Sequence, residues 1–196
     1  MRKSIFILSA MAVLVAIAVV ACNSSSTKTK KQTATLDSAG LVKRGDYLVN
    51  AMGCDDCHSP KRMGAHGPEI IPELRFSGFR HDGQLPPVDT ASIAKGWTLF
   101  SPDFTSAVGV WGASFAGNIT SDATGIGNWP EENFIRAIRK GKLKGLENGR
   151  DLLPPMPWFM YKNLSNEDLK SIFAYLKTTK PVENVVPGPK LPAELK

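Results

Sequence analysis

The sequence predicts a mainly α-helical fold in which one long irregular segment separates the helices. Three segments place apolar residues at helical spacing: one around residue 41, one that opens at residue 130 and one that opens at residue 165. Residues 59–115 instead contain many Gly and Pro residues and show little periodicity, which predicts a long ordered loop that can include short strands. With 196 residues, 42% hydrophobic and 21% charged, the composition is that of one globular domain.

The N-terminus has the order of a signal peptide. Met1, Arg2 and Lys3 precede an apolar run over residues 5–21, and Cys22 follows directly. We therefore expect residues 1–21 to direct export to the periplasm and to be removed. An uncleaved N-terminal helix is the alternative, because the run is only slightly shorter than the roughly 20 residues that span a bilayer.

The end of this run, Val19-Val20-Ala21-Cys22, resembles the lipobox of bacterial lipoproteins. The resemblance implies that Cys22 is lipidated and anchors the protein at a membrane surface. Residues 22–40 are rich in Ser, Thr and Lys, and we expect a flexible tether there. Loss of Arg2 and Lys3 lowers the net charge from +6 to +4, an excess too small to indicate nucleic-acid binding.

The first two predicted helices carry recognisable start and stop signals. Asp37 can cap a first helix that ends at Gly53. The second opens at Pro130 and ends at Gly141, with acidic residues in its first turn and basic residues in its last turn. Charges placed in this way stabilise a helix through its dipole.

The last helix is predicted to begin at Ser165, whose side chain can cap the amide near Asp168, and to stop at Pro181. Its apolar stripe is expected to be buried. That stripe consists of Leu169, Ile172, Phe173 and Leu176. Residues 41–186 are thus the predicted folded domain, and residues 187–196 are predicted to be an extended tail.

The strongest chemical signal is the run Cys54-Asp55-Asp56-Cys57-His58, which matches the C-x-x-C-H signature of covalent haem attachment. Two thiols three positions apart on a helical turn can add to the two vinyl groups of haem. The adjacent His58 then presents its imidazole to the iron. The motif predicts one haem c, bound covalently by Cys54 and Cys57 and ligated by His58.

Two other kinds of site also use C-x-x-C. A thioredoxin-like site needs a strand before the motif and an alternating β/α pattern, but a helical segment precedes Cys54 here. A zinc site needs a fourth ligand such as His66 or His81, and the spacing of these residues matches no common zinc pattern. Haem attachment therefore fits the sequence better than either alternative.

The sixth iron ligand decides between electron transfer and ligand chemistry. Met156 lies in the run Leu153-Pro154-Pro155-Met156-Pro157-Trp158, where prolines restrict the backbone and can hold a thioether in place. We predict Met156 as the axial ligand, with Met160 as the reserve candidate. Met52 precedes the haem motif too closely to reach the opposite face, and Met63 follows it after only a short loop.

The rival interpretation leaves the distal position of the iron open. The chain would then be a haem enzyme or a gas-binding sensor, and His66 or His81 could serve as the distal base. A third interpretation is a structural electron-entry subunit that works only inside a larger complex.

Residues 41–186 resemble the cytochrome c family, with C-x-x-C-H after a first helix, a Met loop and a C-terminal helix. They are more closely similar to the cytochrome c domains that serve bacterial membrane-bound sugar-acid and alcohol dehydrogenases, or that occur alone in respiratory chains. Those subunits commonly carry several haem domains in tandem, whereas this sequence has one C-x-x-C-H motif. The stretches that carry the likeness are residues 44–49 (RGDYLV), 118–122 (NITSD), 124–129 (TGIGNW) and 155–158 (PMPW).

The resemblance implies a cytochrome c fold, with helices around one covalently bound haem and a long insertion after the haem motif. It implies His58/Met156 coordination, and a haem-environment role for three further residues. These are Pro68, whose carbonyl would accept the hydrogen bond of His58, and Asn118 and Trp129, as haem-packing or propionate-binding positions. The implied function is one-electron transfer, with a dehydrogenase or a terminal oxidase as redox partner.

Overall fold

The computed structural model describes residues 36–195. The predicted signal peptide, the lipidation site Cys22 and most of the tether lie outside these residues. Within them the helices are α1 (Ser38–Ala51), α2 (Cys54–His58), α3 (Thr90–Ala94), α4 (Glu131–Lys140), α5 (Trp158–Tyr161) and α6 (Asn166–Leu176). None of these helices is long and apolar enough to cross a lipid bilayer.

Two small antiparallel sheets accompany the helices. Strands β1 (Lys61–Gly64) and β2 (Gly67–Ile70) form a hairpin. Strands β3 (Leu99–Phe100), β4 (Ser106–Gly109) and β5 (Gly112–Phe115) form a three-stranded sheet in that order. The mainly α-helical expectation therefore holds only in part, because residues 59–115 contain every strand of the described chain. Strands of two to four residues are too short for their alternation to show in the sequence.

The helix signals read from the sequence are confirmed at both ends of the domain. Asp37 caps α1 by accepting a hydrogen bond from the Gly40 amide at 2.7 Å. Ser165 and Asp168 form a capping box at the start of α6. Helix α6 ends at Leu176, however, so Pro181 does not itself terminate it.

Helix α4 begins at Glu131 after Pro130, and it ends at Gly141, which adopts a left-handed conformation with φ of 63°. The acidic first turn and basic last turn predicted for this helix are both present. Its buried side chains, Phe134 and Ala137, face the interior.

Helices α1 and α6 pack closely at Gly45. A Cβ atom there would lie 1.9 Å from the backbone oxygen of Ser171, so only glycine permits this approach. Next to this contact, Arg44 of α1 donates a 2.7 Å hydrogen bond from Nε to Asp168 of α6. Partial burial opposes ionisation of Asp168, but hydrogen bonds from Ser165 and Arg44 outweigh it and lower the pKa of this carboxyl.

One hydrophobic core joins these helices to the segments between them. Its buried members are Val49, Phe76, Ile126, Phe134, Ile172, Phe173 and Leu176. Three of the four apolar residues predicted on α6 belong to this cluster, and the fourth, Leu169, is also fully buried. Met52, Cys54 and Trp129 pack against the edge of the cluster. The core therefore ends where the C-x-x-C-H motif begins.

Candidate haem-attachment site

The C-x-x-C-H motif forms its own short helix immediately after α1. Helix α1 ends at Ala51, and Gly53 turns the chain with a left-handed φ of 68° before α2 begins at Cys54. Cys54 and Cys57 lie three residues apart on this five-residue helix, and both are free, half-buried thiols. Residues at this spacing share one helix face, so both sulfur atoms can serve one cofactor.

The electrostatics of the two thiols do not suit a reactive thiolate. Burial, reinforced mainly by the negative charge of Asp55, raises the pKa of the Cys54 thiol to about 12. Burial also raises the pKa of Cys57, although the nearby Lys61 ammonium opposes this. Thioredoxin-like sites need a lowered thiol pKa, so this arrangement argues against that alternative.

The ring of His58 is oriented by a backbone carbonyl. Its Nδ1 lies 2.7 Å from the oxygen of Gly117. A proton on Nδ1 donates to this carbonyl and leaves Nε2 as the atom available to a metal. Burial lowers the pKa of His58, while the Gly117 carbonyl partly opposes that effect. The net direction favours the neutral imidazole, which is the form that binds iron.

The prediction that Pro68 supplies this carbonyl is wrong. Pro68 lies in β2, opposite Met63 of β1, and it is exposed on the hairpin. Gly117, at the far end of the insertion, takes the place assigned to Pro68. Gly67 and Pro68 follow the motif closely in the sequence. In the structure, however, they pair with β1 in the hairpin.

Two chain segments contact His58, one at its backbone carbonyl and one at its ring. The Gly78 amide donates to the His58 carbonyl at 2.7 Å, and the Gly117 carbonyl faces the His58 ring. The segments are joined to each other because the Phe79 amide donates to the Ala116 carbonyl at 2.9 Å. We call residues 76–79 and 116–119 together the His58 clasp.

A part-buried ion pair between Arg75 and Asp55 also holds the motif helix in place. Arg75 contacts both carboxylate oxygens of Asp55, with the shortest distance, from Nη2, at 2.6 Å. The same guanidinium donates to Asn50 of α1 at 2.8 Å and to the hydroxyl of Tyr175 of α6 at 3.4 Å. Ser59 Oγ also donates to Asp55 at 2.6 Å. One arginine thereby joins the motif helix to both terminal helices.

Lys61 holds the C-terminal end of α2. Its ammonium donates to the backbone oxygens of Asp55, Asp56 and Ser59 at 2.8 to 3.1 Å, and to that of Asp103 at 3.1 Å. These contacts satisfy carbonyls that the end of a helix leaves without intrahelical partners. Sequence reasoning missed both Arg75 and Lys61, because their partners are main-chain oxygens or distant side chains that form no motif.

We expect Arg75→Ala to lower the free energy of unfolding by about 2 kcal/mol, because it leaves the part-buried Asp55 carboxylate without its cation. Urea denaturation of the purified protein measures this change. Arg62→Ala is the matched control, since Arg62 lies 4.0 Å from Glu69 on the exposed hairpin, and its effect should stay within about 0.5 kcal/mol. Equal effects of the two substitutions would contradict the role given to Arg75.

The side chain of Asn118, which was predicted to lie in the haem environment, is held by other protein groups. Its Nδ2 donates to Thr124 Oγ1 at 3.1 Å and to the backbone oxygens of Val182 and Asn184 at 2.8 and 3.3 Å. Its Oδ1 accepts from the amide and hydroxyl of Thr120. Protein groups thus use both amide hydrogens, and Asn118 positions the chain next to Gly117. Trp129 packs beside the core cluster that also contacts Cys54.

Among the methionines, Met156 is half-buried, whereas Met63 and Met160 are 68% and 63% exposed. Met156 lies in a turn in which its amide donates to the Leu153 carbonyl and its carbonyl accepts from the Trp158 amide. Helix α5 follows, and the hydroxyl of Tyr161 donates to the Met52 carbonyl at 2.9 Å. This bond ties the helix after Met156 to the turn that enters the motif.

The candidate distal histidines are both exposed. His81 has its Nδ1 3.3 Å from Oδ1 of Asn184. Residues 36–195 contain no group of three or more His, Cys, Asp or Glu side chains arranged to hold a metal ion.

The chain is similar to several known proteins. No family model matches it. It is 33% identical over 153 residues to the fructose dehydrogenase cytochrome subunit of Gluconobacter japonicus, which is 77% of this chain and 24% of that protein. It is 33% identical over 136 residues to the gluconate 2-dehydrogenase cytochrome c subunit of Pantoea cypripedii, which is 69% of this chain and 22% of that protein.

A third relative is the cytochrome c subunit of the quinone-dependent alcohol dehydrogenase of Gluconobacter oxydans, 28% identical over 160 residues. That match covers 80% of this chain and 26% of the relative. These relatives support assignment to the cytochrome c family. The chain spans about a quarter of the length of each relative. Cytochrome c proteins bind haem c, and the paired thiols of α2 and the free Nε2 of His58 are the donor set that this group requires.

Proposed function

We propose that the chain is a monohaem c-type cytochrome that carries single electrons. The observation that carries the proposal is the placement of Cys54 and Cys57 on one helix with His58 directly after them and held by the Gly117 carbonyl. The likeness to cytochrome c subunits of dehydrogenases supports the same conclusion. Haem iron supplies the one-electron redox chemistry in such proteins.

Each residue has a separate task in this proposal. Cys54 and Cys57 hold the porphyrin covalently, and His58 binds the iron through Nε2. Met156 provides the sixth ligand, and its soft thioether favours the reduced metal. The half-burial of Met156 supports this choice over the exposed Met160 and Met63.

The core edge beside the motif suits electron transfer. Cys54, Ile119 and Trp129 each pack against the hydrophobic cluster. An apolar surrounding limits water access and reduces the reorganisation that accompanies a change of charge. No substrate bond needs to be made or broken, so we propose a carrier and not an enzyme.

The proposal also includes a redox partner and a cellular location for the protein. The relatives are named as cytochrome subunits of dehydrogenases, so we propose a dehydrogenase or a terminal oxidase as redox partner, with the dehydrogenase as electron donor. Lipidation of Cys22 would anchor the exported protein to a membrane on the periplasmic side. The segment between Cys22 and the start of α1 at Ser38 would then act as a tether that raises the effective concentration of the carrier near membrane complexes.

A redox titration with optical detection tests the proposal. The purified protein should show a reversible one-electron curve and should be reduced by the catalytic subunit of a fructose, gluconate or alcohol dehydrogenase given its substrate. The dehydrogenase without substrate is the control. A protein that takes up no electron from any of these enzymes, although its haem is present, would contradict the proposed partner class.

A further inference from the structure

Asn184 lies eight residues beyond the end of α6 and is nevertheless buried, with 5% of its surface exposed. Its Nδ2 donates to the backbone oxygens of Ser77 and Phe79 at 2.7 and 2.8 Å. Its Oδ1 accepts from the His81 amide at 2.9 Å. A buried amide with every bond satisfied specifies one geometry, because each lost bond leaves a buried polar group unpaired.

The two carbonyls bound by Asn184 flank Gly78, whose amide donates to the His58 carbonyl. Gly78 has a left-handed φ of 75°, and a Cβ atom there would lie 2.3 Å from the Ala116 oxygen and 2.6 Å from the Gly117 oxygen. Gly78 therefore lies directly against the Gly117 carbonyl, which orients the His58 ring.

The backbone of Asn184 holds the other half of the clasp. Its carbonyl accepts from Asn118 Nδ2 at 3.3 Å, and its amide donates to Thr124 Oγ1 at 2.9 Å. Asn118 directly follows Gly117, so its position determines where the Gly117 carbonyl points. One residue of the C-terminal segment thus fixes both chain segments that contact His58.

We propose that Asn184 is a positioning residue for His58, and the inference rests on the proposed function. By fixing the clasp it sets the strength of the hydrogen bond from His58 Nδ1 to the Gly117 carbonyl. That bond makes the imidazole a stronger donor to iron and favours the oxidised state. Loosening the clasp weakens the bond and shifts the balance toward the reduced state.

The test uses Asn184→Ala in the full-length holoprotein. We expect a higher midpoint potential, and in proton NMR of the reduced protein an exchange of the His58 Nδ1 proton with solvent that is faster by about tenfold or more. Thr124→Val is a second variant of nearly equal volume that removes the shared hydroxyl partner of Asn184 and Asn118. It should shift both quantities in the same direction.

Two controls separate positioning from general stability. Val185→Ala alters the next residue, which is 68% exposed, and should change neither quantity. Ile172 shares its core cluster with Phe76 of the clasp, but Ile172→Val removes no hydrogen bond of Asn184 or Gly117, so it should lower the melting temperature without moving the potential or the exchange rate. The inference would be overturned if the potential and the exchange rate stay unchanged in both Asn184→Ala and Thr124→Val. It would also be overturned if Ile172→Val shifts them equally. A wild-type protein without covalent haem would instead refute the proposed function.

Discussion

The double variant C54A/C57A is expected to lose all covalently bound haem. The two thiols are the only covalent attachment points on α2, and a haem held by His58 alone has no thioether bond to resist extraction. Acidified organic solvent should therefore remove all haem from the variant and none from the wild type. Haem staining of a denaturing gel and the pyridine haemochrome spectrum measure the difference.

The third cysteine supplies the matched control for this experiment. Cys22 precedes the folded domain, so Cys22→Ala should retain haem fully while losing any membrane association that lipidation provides. Single Cys54→Ala and Cys57→Ala variants should each keep one thioether and show a red-shifted reduced spectrum. Haem that stays with the C54A/C57A chain after extraction would contradict the assignment of the motif.

Met156→Ala is expected to open the sixth coordination position. Without the thioether the reduced iron should bind carbon monoxide, and the midpoint potential should fall because the soft ligand that favours the reduced state is gone. Optical titration with carbon monoxide and with redox mediators measures both effects. The expected change is large because the substitution removes a ligand and not a distant contact.

Met160→Ala is the control, four residues along the same segment. Met160 is 63% exposed, so its removal should leave both the carbon monoxide response and the potential close to wild type. If Met160→Ala opens the site and Met156→Ala does not, the ligand assignment is wrong and the reserve candidate takes its place.

The ends of the helices could be predicted from the sequence because the residues that cap a helix act locally. Asp37, Ser165 and Gly141 act on amides or carbonyls within a few residues, so their effect can be read from the sequence alone. The buried stripe of α6 was predictable for the same reason, since its 3.6-residue spacing describes one face of one helix.

The His58 clasp was not predictable, because it depends on pairing between distant segments. Gly117 lies 59 residues after His58, and Asn184 lies more than a hundred residues after Ser77. No periodicity links such positions, and the nearer Gly-Pro pair that seemed suitable is instead part of a hairpin. Short strands were expected somewhere in residues 59–115, but their positions could not be predicted, because strands of two to four residues are too short to show alternation in the sequence.

The most direct test of the central claim is the spectrum of the oxidised wild-type protein in the near infrared, recorded with a carbon monoxide titration of the reduced form. A His58/Met156 electron carrier predicts the weak band that reports an iron–thioether bond, together with no binding of carbon monoxide. Absence of the band with ready binding of carbon monoxide would contradict it and would favour a haem enzyme or gas sensor with an open distal site.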